Sequence, residues 1–140
     1  MATVHADYQD RTRIVFTARG REHVNVREKL DDGPIDYSST ELLLVALGNC
    51  TLGHLLADEL LRDVEVVNAE ATLDAEMARN PVRVAKIDVA IDIVLAEPSL
   101  LSLESELQAI SCSCPICNTL GSVEINSTLR LTAEPQLATT

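Results

Sequence analysis

Aromatic side chains are nearly absent from this chain: Tyr8, Phe16 and Tyr37 are the only three, and there is no Trp. That argues against a surface that stacks nucleic-acid bases on aromatic rings, and it requires any core to be aliphatic. Positive charge is also scarce. Lys and Arg number 11 against 22 Asp and Glu, a formal net charge of −11. Duplex nucleic acid and anionic membrane surfaces both attract basic faces, so neither is expected as a partner. A long unbroken apolar run is missing too. The most apolar stretch, Leu42 to Ala57, carries no formal charge but contains Gly48, Asn49, Thr51, Gly53 and His54. It is expected to fall short of the roughly 20 apolar residues that a spanning helix needs. Residues Met1 to Tyr8 show no basic segment followed by an apolar one, so no secretory signal and a cytoplasmic location are expected.

Hydrophobic residues nonetheless make up 46% of the 140, enough for the core of one domain over 1–140. Three segments alternate with period two. Apolar residues take the odd positions from Val67 to Met77, again from Ala85 to Leu95, and at Val123, Ile125, Leu129 and Leu131. Each predicts a strand with one buried and one wet face, as in an antiparallel sheet covered on one side. The Arg79-Asn80-Pro81 break predicts a hairpin between the first two. Shorter strands are expected over Arg13–Ala18 and His23–Val26, with a turn near Gly20.

Two segments read as helices. Ser38 and Glu41 have the spacing of a capping box directly before Leu42-Leu43-Leu44. From there to Leu61 the chain is apolar almost all round, which marks a central helix needing cover on most sides. The second helix is predicted from near Ser99 to Pro115, with Leu100, Leu103, Leu107 and Ile110 on one face. Residues Gln136 to Thr140 read as a loose tail. The order strands, helix, strands, helix, strand gives an α+β fold. One sheet covers only one side of the first helix, so a homodimer is expected to supply the rest.

Four cysteines in a reducing compartment are more often thiols or metal ligands than structural disulfides. Cys50 stands alone in the first helix, where a small core hydrophobe is the plainest reading. Cys112, Cys114 and Cys117 crowd together. Cys114 and Cys117 have the C-x-x-C spacing of thioredoxin-like pairs and of half a zinc site. The motif is expected to close a helix, whereas a thioredoxin-like pair opens one. A zinc site needs a fourth ligand from Cys50, His54, His5 or His23, and no second spaced pair offers it. Zinc and packing roles both remain open on the residues alone.

Gly33-Pro34 followed by Ser39-Thr40-Glu41-Leu42-Leu43-Leu44-Val45-Ala46-Leu47-Gly48-Asn49-Cys50-Thr51 resembles the G-P-x-x-x-E-L-L-L-A-A-L-G-x-C-T signature of the OsmC-like family. That family includes osmotically inducible protein C and the organic hydroperoxide resistance proteins. Cys114-Pro115-Ile116-Cys117-Asn118-Thr119-Leu120 resembles its C-P-V-x-x-T-L segment, and the 64-residue separation suits it. The resemblance implies antiparallel sheets packed around two long helices, in an intertwined homodimer with sites at the subunit interface. It further implies a peroxidase in which Cys50 attacks an organic hydroperoxide and Cys114 resolves the sulfenic acid to a disulfide. A dithiol of the lipoamide type, or another thiol, would restore both, with no cofactor and no metal.

A buried thiol resists ionisation, so such a site needs a cation. The resemblance points to Arg19 in the segment Arg19-Gly20-Arg21-Glu22-His23-Val24, with Arg21 second; a solvated turn residue is the plain alternative. One departure stands out. Where hydroperoxidases of the family carry a glutamate ten residues before the first cysteine, this chain has Thr40. Its neighbour Glu41 is equally well explained as the capping-box acid. Cys112 and Cys117 exceed the two thiols required, and either is a competitor for the disulfide. His54, four residues past Cys50, shares its helix face and reads as a packing or tuning residue. Beside the peroxidase stands a second reading: a dimer of the same fold that binds a small apolar or acyl ligand, with structural or redox-sensing thiols.

Overall fold

Where polar and apolar residues alternate, the chain pairs into sheets, and the computed structural model contains two of them. It describes residues 2–27 and 35–135. Two compact units are distinct, Met1–Leu42 and Leu43–Thr140. Gly33-Pro34 and the tail from Gln136 lie outside the described residues.

The N-terminal unit is an antiparallel meander of β1 (His5–Asp10), β2 (Arg13–Ala18) and β3 (Arg21–Val26). β1 is a strand that the sequence reading did not anticipate. Its residues, His-Ala-Asp-Tyr-Gln-Asp, offer no apolar face, and pairing with β2 holds it at the sheet edge. Arg19 and Gly20 alone join β2 to β3, both at positive φ, 49° and 76°. Such a turn matches the twist of the strands it joins. Asn25 is buried at the far end of β3. Its side-chain amide donates to the Tyr37 carbonyl at 3.0 Å, and its carbonyl oxygen accepts the Tyr37 N–H at 3.2 Å. This clamp anchors the segment that leads into the first helix.

That helix, α1 (Ser39–Ala57), opens with the expected capping box. The Glu41 N–H donates to Ser38 Oγ at 3.1 Å, and the Ser38 N–H donates to Glu41 Oε1 at 2.9 Å. The helix stops at Ala57 rather than near Leu61, because Asp58 Oδ1 accepts the Leu60 N–H at 3.0 Å and closes a turn instead. Only Leu47, Thr51 and Leu55 are buried, one residue per turn. Gly48 lets the helix approach the sheet closely: a Cβ there would lie 3.1 Å from Leu73 Cδ1. By length and composition α1 is apolar enough to cross a membrane, contrary to expectation; the core helix of a soluble protein passes the same test.

The C-terminal sheet has the order β4 (Val66–Ala78), β5 (Arg83–Leu95), β6 (Glu124–Ala133). β4 and β5 form the expected hairpin. Alternation holds from Ala69 to Ala75, but register shifts at both ends of β4 turn Val67 and Met77 outward. The α+β order is as expected, with two corrections. First, β6 runs parallel to β5, not antiparallel, because the helical segment between them crosses over the sheet before the chain returns. Second, the long second helix is three short pieces. A 3-10 helix (Pro98–Leu103) leads into α2 (Glu104–Ile110), and α3 (Pro115–Thr119) follows a turn. Ser111 and Ser113 hydroxyls donate to the carbonyls of Gln108 and Ile110, both at 2.8 Å, and so end α2.

α2 is fastened to the exposed edge of β6. Gln108 Nε2 donates to the Ser127 carbonyl at 2.8 Å, and Gln108 Oε1 accepts the Leu129 N–H at 2.6 Å. Glu104 Oε2 accepts the Leu131 N–H at 3.0 Å. Edge groups that would otherwise invite a further strand are thereby satisfied. The buried Ser111 hydroxyl adds a 2.6 Å bond to Ser127, which fills the polar gap in the alternation of β6. These bonds fix the segment that carries three of the four cysteines.

Candidate thiol site

The core of the C-terminal unit brings distant cysteines together. Cys50 lies mid-way along α1 and is half-buried, beside the buried stripe of that helix. Cys114 caps the start of α3 in extended backbone (φ −73°, ψ 160°), with Pro115 in the first turn, and has no exposed surface. Thr51 Oγ1 is 3.9 Å from Cys114 Sγ. Thr51 directly follows Cys50, so this contact brings Cys114 to the same turn of α1, where the two thiols shift each other's ionisation. All four cysteines are free thiols.

The C-x-x-C segment therefore opens a helix rather than closing one, which corrects the reading that set it apart from thioredoxin-like pairs. Proline ends a helix poorly placed within it, but is equally at home in the first turn, where its missing N–H has no partner to lose.

The two thiols differ in acidity. At Cys50 the Ile116 N–H favours the thiolate, but burial and the adjoining Cys114 outweigh it and push the thiol up. At Cys114 burial raises the pKa. The Cys117 N–H, which approaches without closing a cap hydrogen bond, acts with the Cys50, Thr51 and Cys117 side chains to bring it below the ordinary thiol value. Within this chain the negative charge thus prefers Cys114. Cys117 is pushed up, by burial first and then by the neighbouring Cys112 and Cys114. Its sulfur is 2.6 Å from that of Cys112, a pairing that the sequence reading did not find.

The other candidates are placed as follows. His54, one turn beyond Cys50, bonds through Nε2 to Ser113 Oγ at 3.2 Å, and so links α1 to the cysteine segment. Arg19 occupies the strained turn of the N-terminal sheet. With Arg21, His23, Phe16, Val4 and Ala18 it lines a cleft of about 540 Å³ there. Phe16 and His23 stack, with ring centroids 6.4 Å apart. Glu41 is occupied by the capping box, and Thr40 lies beside it in the first turn. Among the described residues no group of three or more His, Cys, Asp or Glu side chains is placed to hold a metal ion.

No protein-family model matches the sequence. No curated protein matches it either. Solved structures do. An OsmC-like protein from Mycoplasma pneumoniae superposes with a TM-score of 0.75 at 13% identity, covering 94% of this chain and 97% of that one. The organic hydroperoxide resistance protein OhrB of Bacillus subtilis gives 0.65 at 15%, covering 93% and 98%. A hypothetical protein from Aquifex aeolicus VF5 gives 0.75 at 16%, covering 96% and 98%. The chain has the OsmC-like fold.

In this chain of OsmC-like fold, the segments that carried the resemblance are the two that meet. One is α1 around Cys50, and the other is the turn into α3 at Cys114. Cys112 and Cys117 have no counterpart in the motif, and the structure sets them next to each other.

Proposed function

We propose that this chain is a thiol peroxidase that reduces organic hydroperoxides through Cys50 and Cys114. The observation that carries the reading is the juxtaposition of those two thiols. Hydroperoxide resistance proteins among the structures of the same fold support the substrate class.

Access assigns the roles more than acidity does. Cys114 has no exposed surface, whereas Cys50 is half-buried and reachable. A Cys50 thiolate attacks the outer peroxide oxygen; the O–O bond breaks, an alcohol leaves after taking a proton, and Cys50 becomes a sulfenic acid. Cys114, the more acidic thiol, then attacks the Cys50 sulfur, forms the disulfide and releases water. An external dithiol returns both sulfurs to thiols and is itself oxidised to a disulfide. Among the described residues, the groups that shift the Cys50 thiol are the Ile116 N–H, burial and Cys114, and a cation would favour its ionised form. Arg19 supplies it in this reading, and Arg21 is its substitute.

The apolar faces of α1 support a homodimer. Val45 and Leu56 are 50% and 39% exposed and lie three turns apart on one face of α1, outside the buried stripe of Leu47, Thr51 and Leu55. In the proposed intertwined dimer a second copy covers that face and walls the hydroperoxide pocket. The similar structures match along more than nine-tenths of this chain, which favours one domain over 1–140. In this reading the chain works in a reducing cytoplasm, where four cysteines persist as thiols.

One equivalent of cumene hydroperoxide, followed by peptide mass spectrometry, tests the reading. Loss of the Cys50 thiol is expected first, and turnover with a dithiol is expected to vanish in Cys50→Ser. Equal turnover by Cys50→Ser and wild type would refute it. In Cys114→Ser the sulfenic acid is expected to persist and to be trapped by dimedone. The raised Cys50 thiol and Thr40 favour a second reading, an apolar- or acyl-ligand-binding dimer without peroxidase activity. Slow reaction of Cys50 with peroxide would support that reading, and rapid stoichiometric thiol loss would exclude it.

A further inference from the structure

The peroxidase reading uses two thiols and leaves a second pair idle. Cys112, in the turn after α2, is half-buried, and Cys117, on α3, is nearly covered. Their sulfurs are in direct contact, 2.6 Å apart. The four cysteines follow one another through the core: Thr51, next to Cys50 on α1, places Oγ1 3.9 Å from Cys114 Sγ, Cys114 caps the short helix that carries Cys117, and Cys117 meets Cys112. One end lies on α1 and the other at the half-buried turn after α2.

We infer that Cys112 and Cys117 form a second redox pair that takes the disulfide from Cys50 and Cys114 and presents it at Cys112 to the reductant. The inference rests on the peroxidase reading only for the origin of the first bridge. In the first step the Cys117 sulfur attacks Cys114 Sγ. The Cys50–Cys114 bond breaks, a Cys114–Cys117 bond forms, and Cys50 leaves with the proton that Cys117 gave up. In the second step the Cys112 sulfur attacks Cys117 Sγ. Cys114 leaves as the better leaving group, takes the proton from Cys112, and a Cys112–Cys117 bond remains. Two thiols are oxidised and two reduced, so the exchange needs no outside oxidant.

The benefit is access. An oxidising equivalent on Cys114 sits where no reductant reaches it, and Cys50 shares its helix with the proposed substrate pocket. At Cys112 the equivalent lies outside that pocket, so reduction and hydroperoxide binding need not compete for one opening.

The test holds the full chain in dithiothreitol buffers of graded poise, followed by acid quench, alkylation and disulfide mapping. Chains with a single bridge are expected to carry Cys112–Cys117 over Cys50–Cys114 by at least about tenfold, equivalent to about 30 mV. A single bridge found mainly at Cys50–Cys114, or halted at Cys114–Cys117, overturns the relay. In a time course after one equivalent of hydroperoxide, the bridge is expected to appear at Cys50–Cys114 and move to Cys112–Cys117. In Cys117→Ser it should stay where it formed, and migration there would equally overturn the relay. If hydroperoxide forms no bridge in any variant, the peroxidase reading fails, while the graded buffers still decide the relay.

Discussion

The N-terminal and C-terminal sheets have three strands each, but their interiors differ. Every buried hydrophobic side chain among the described residues lies at or beyond Leu47, and Ile87, Val89, Ile91, Ile93 and Leu95 form an unbroken buried face on β5. In the N-terminal sheet the one buried residue is Asn25, while β2 is half-buried along its whole length and Val24 is exposed. A three-stranded meander without a buried apolar face is marginal in water. One half of the chain is thus self-sufficient and the other has surface to spare. That asymmetry is what an intertwined dimer would relieve.

The largest expected effect would break the proposed dimer. Val45→Glu combined with Leu56→Glu places carboxylates on the uncovered face of α1, where a desolvated charge costs several kcal/mol and raises the dissociation constant at least about 100-fold. Sedimentation should change from dimer to monomer at micromolar concentration. Hydrogen exchange should quicken across β1 to β3 while β5 stays protected. A wild-type chain that sediments as a stable monomer would remove this account of the N-terminal sheet. The next effect tests the self-sufficient half. Ile91→Ala, in the middle of β5, is expected to lower unfolding free energy by about 2–5 kcal/mol in denaturant titration. A cost near zero would mean that the β5 face is not the core it appears on burial.

Much of that asymmetry was legible in the residues. Strict alternation from Ala85 to Leu95 announces a strand with one buried face, and Ser38 with Glu41 announces the start of α1. β1 was hidden because its residues carry no apolar pattern and are held by pairing alone. Val67 and Met77 continue the alternation in sequence, but bulges reverse their faces, which no period-two count detects. The parallel β5–β6 pair depends on where a crossover lands, which is a tertiary property. At the site, Cys50 and Cys114 were found through a motif. The Cys112–Cys117 pair was not, because a separation of five residues fixes no distance until the turn between α2 and α3 is known. Proline misled at the same spot: Pro115 was read as a stop and serves as a start.

A smaller effect links stability with activity at the β2–β3 turn. Arg19 holds a left-handed conformation that costs an ordinary residue about 1 kcal/mol, whereas Asn before Gly is the preferred pair for such a turn. Arg19→Asn is expected to stabilise the chain by about 0.5–1 kcal/mol in denaturant titration. It should also depress hydroperoxide turnover, because the proposed partner of Cys50 is gone. Stabilisation with unchanged turnover would transfer that role to Arg21.

The smallest expected effect lies at the boundary between the two units, where Glu41 closes the capping box. Hydrogen bonds from the Ser38 backbone and then its hydroxyl hold the Glu41 carboxyl below the ordinary glutamate range. A carboxylate whose pKa is lower folded than unfolded stabilises the fold above its unfolded pKa, and that contribution fades as the pH falls through the folded value. Glu41 is exposed, so solvent keeps the effect small. Wild type should therefore melt slightly above Glu41→Gln at neutral pH, and the two melting temperatures should converge in acid. The shift belongs to the first turn of α1 and not to the core, so hydrogen exchange in β5 should be the same in both proteins at either pH. A gap that widened in acid would mean that Glu41 is stabilised as the neutral acid, with a role other than the cap.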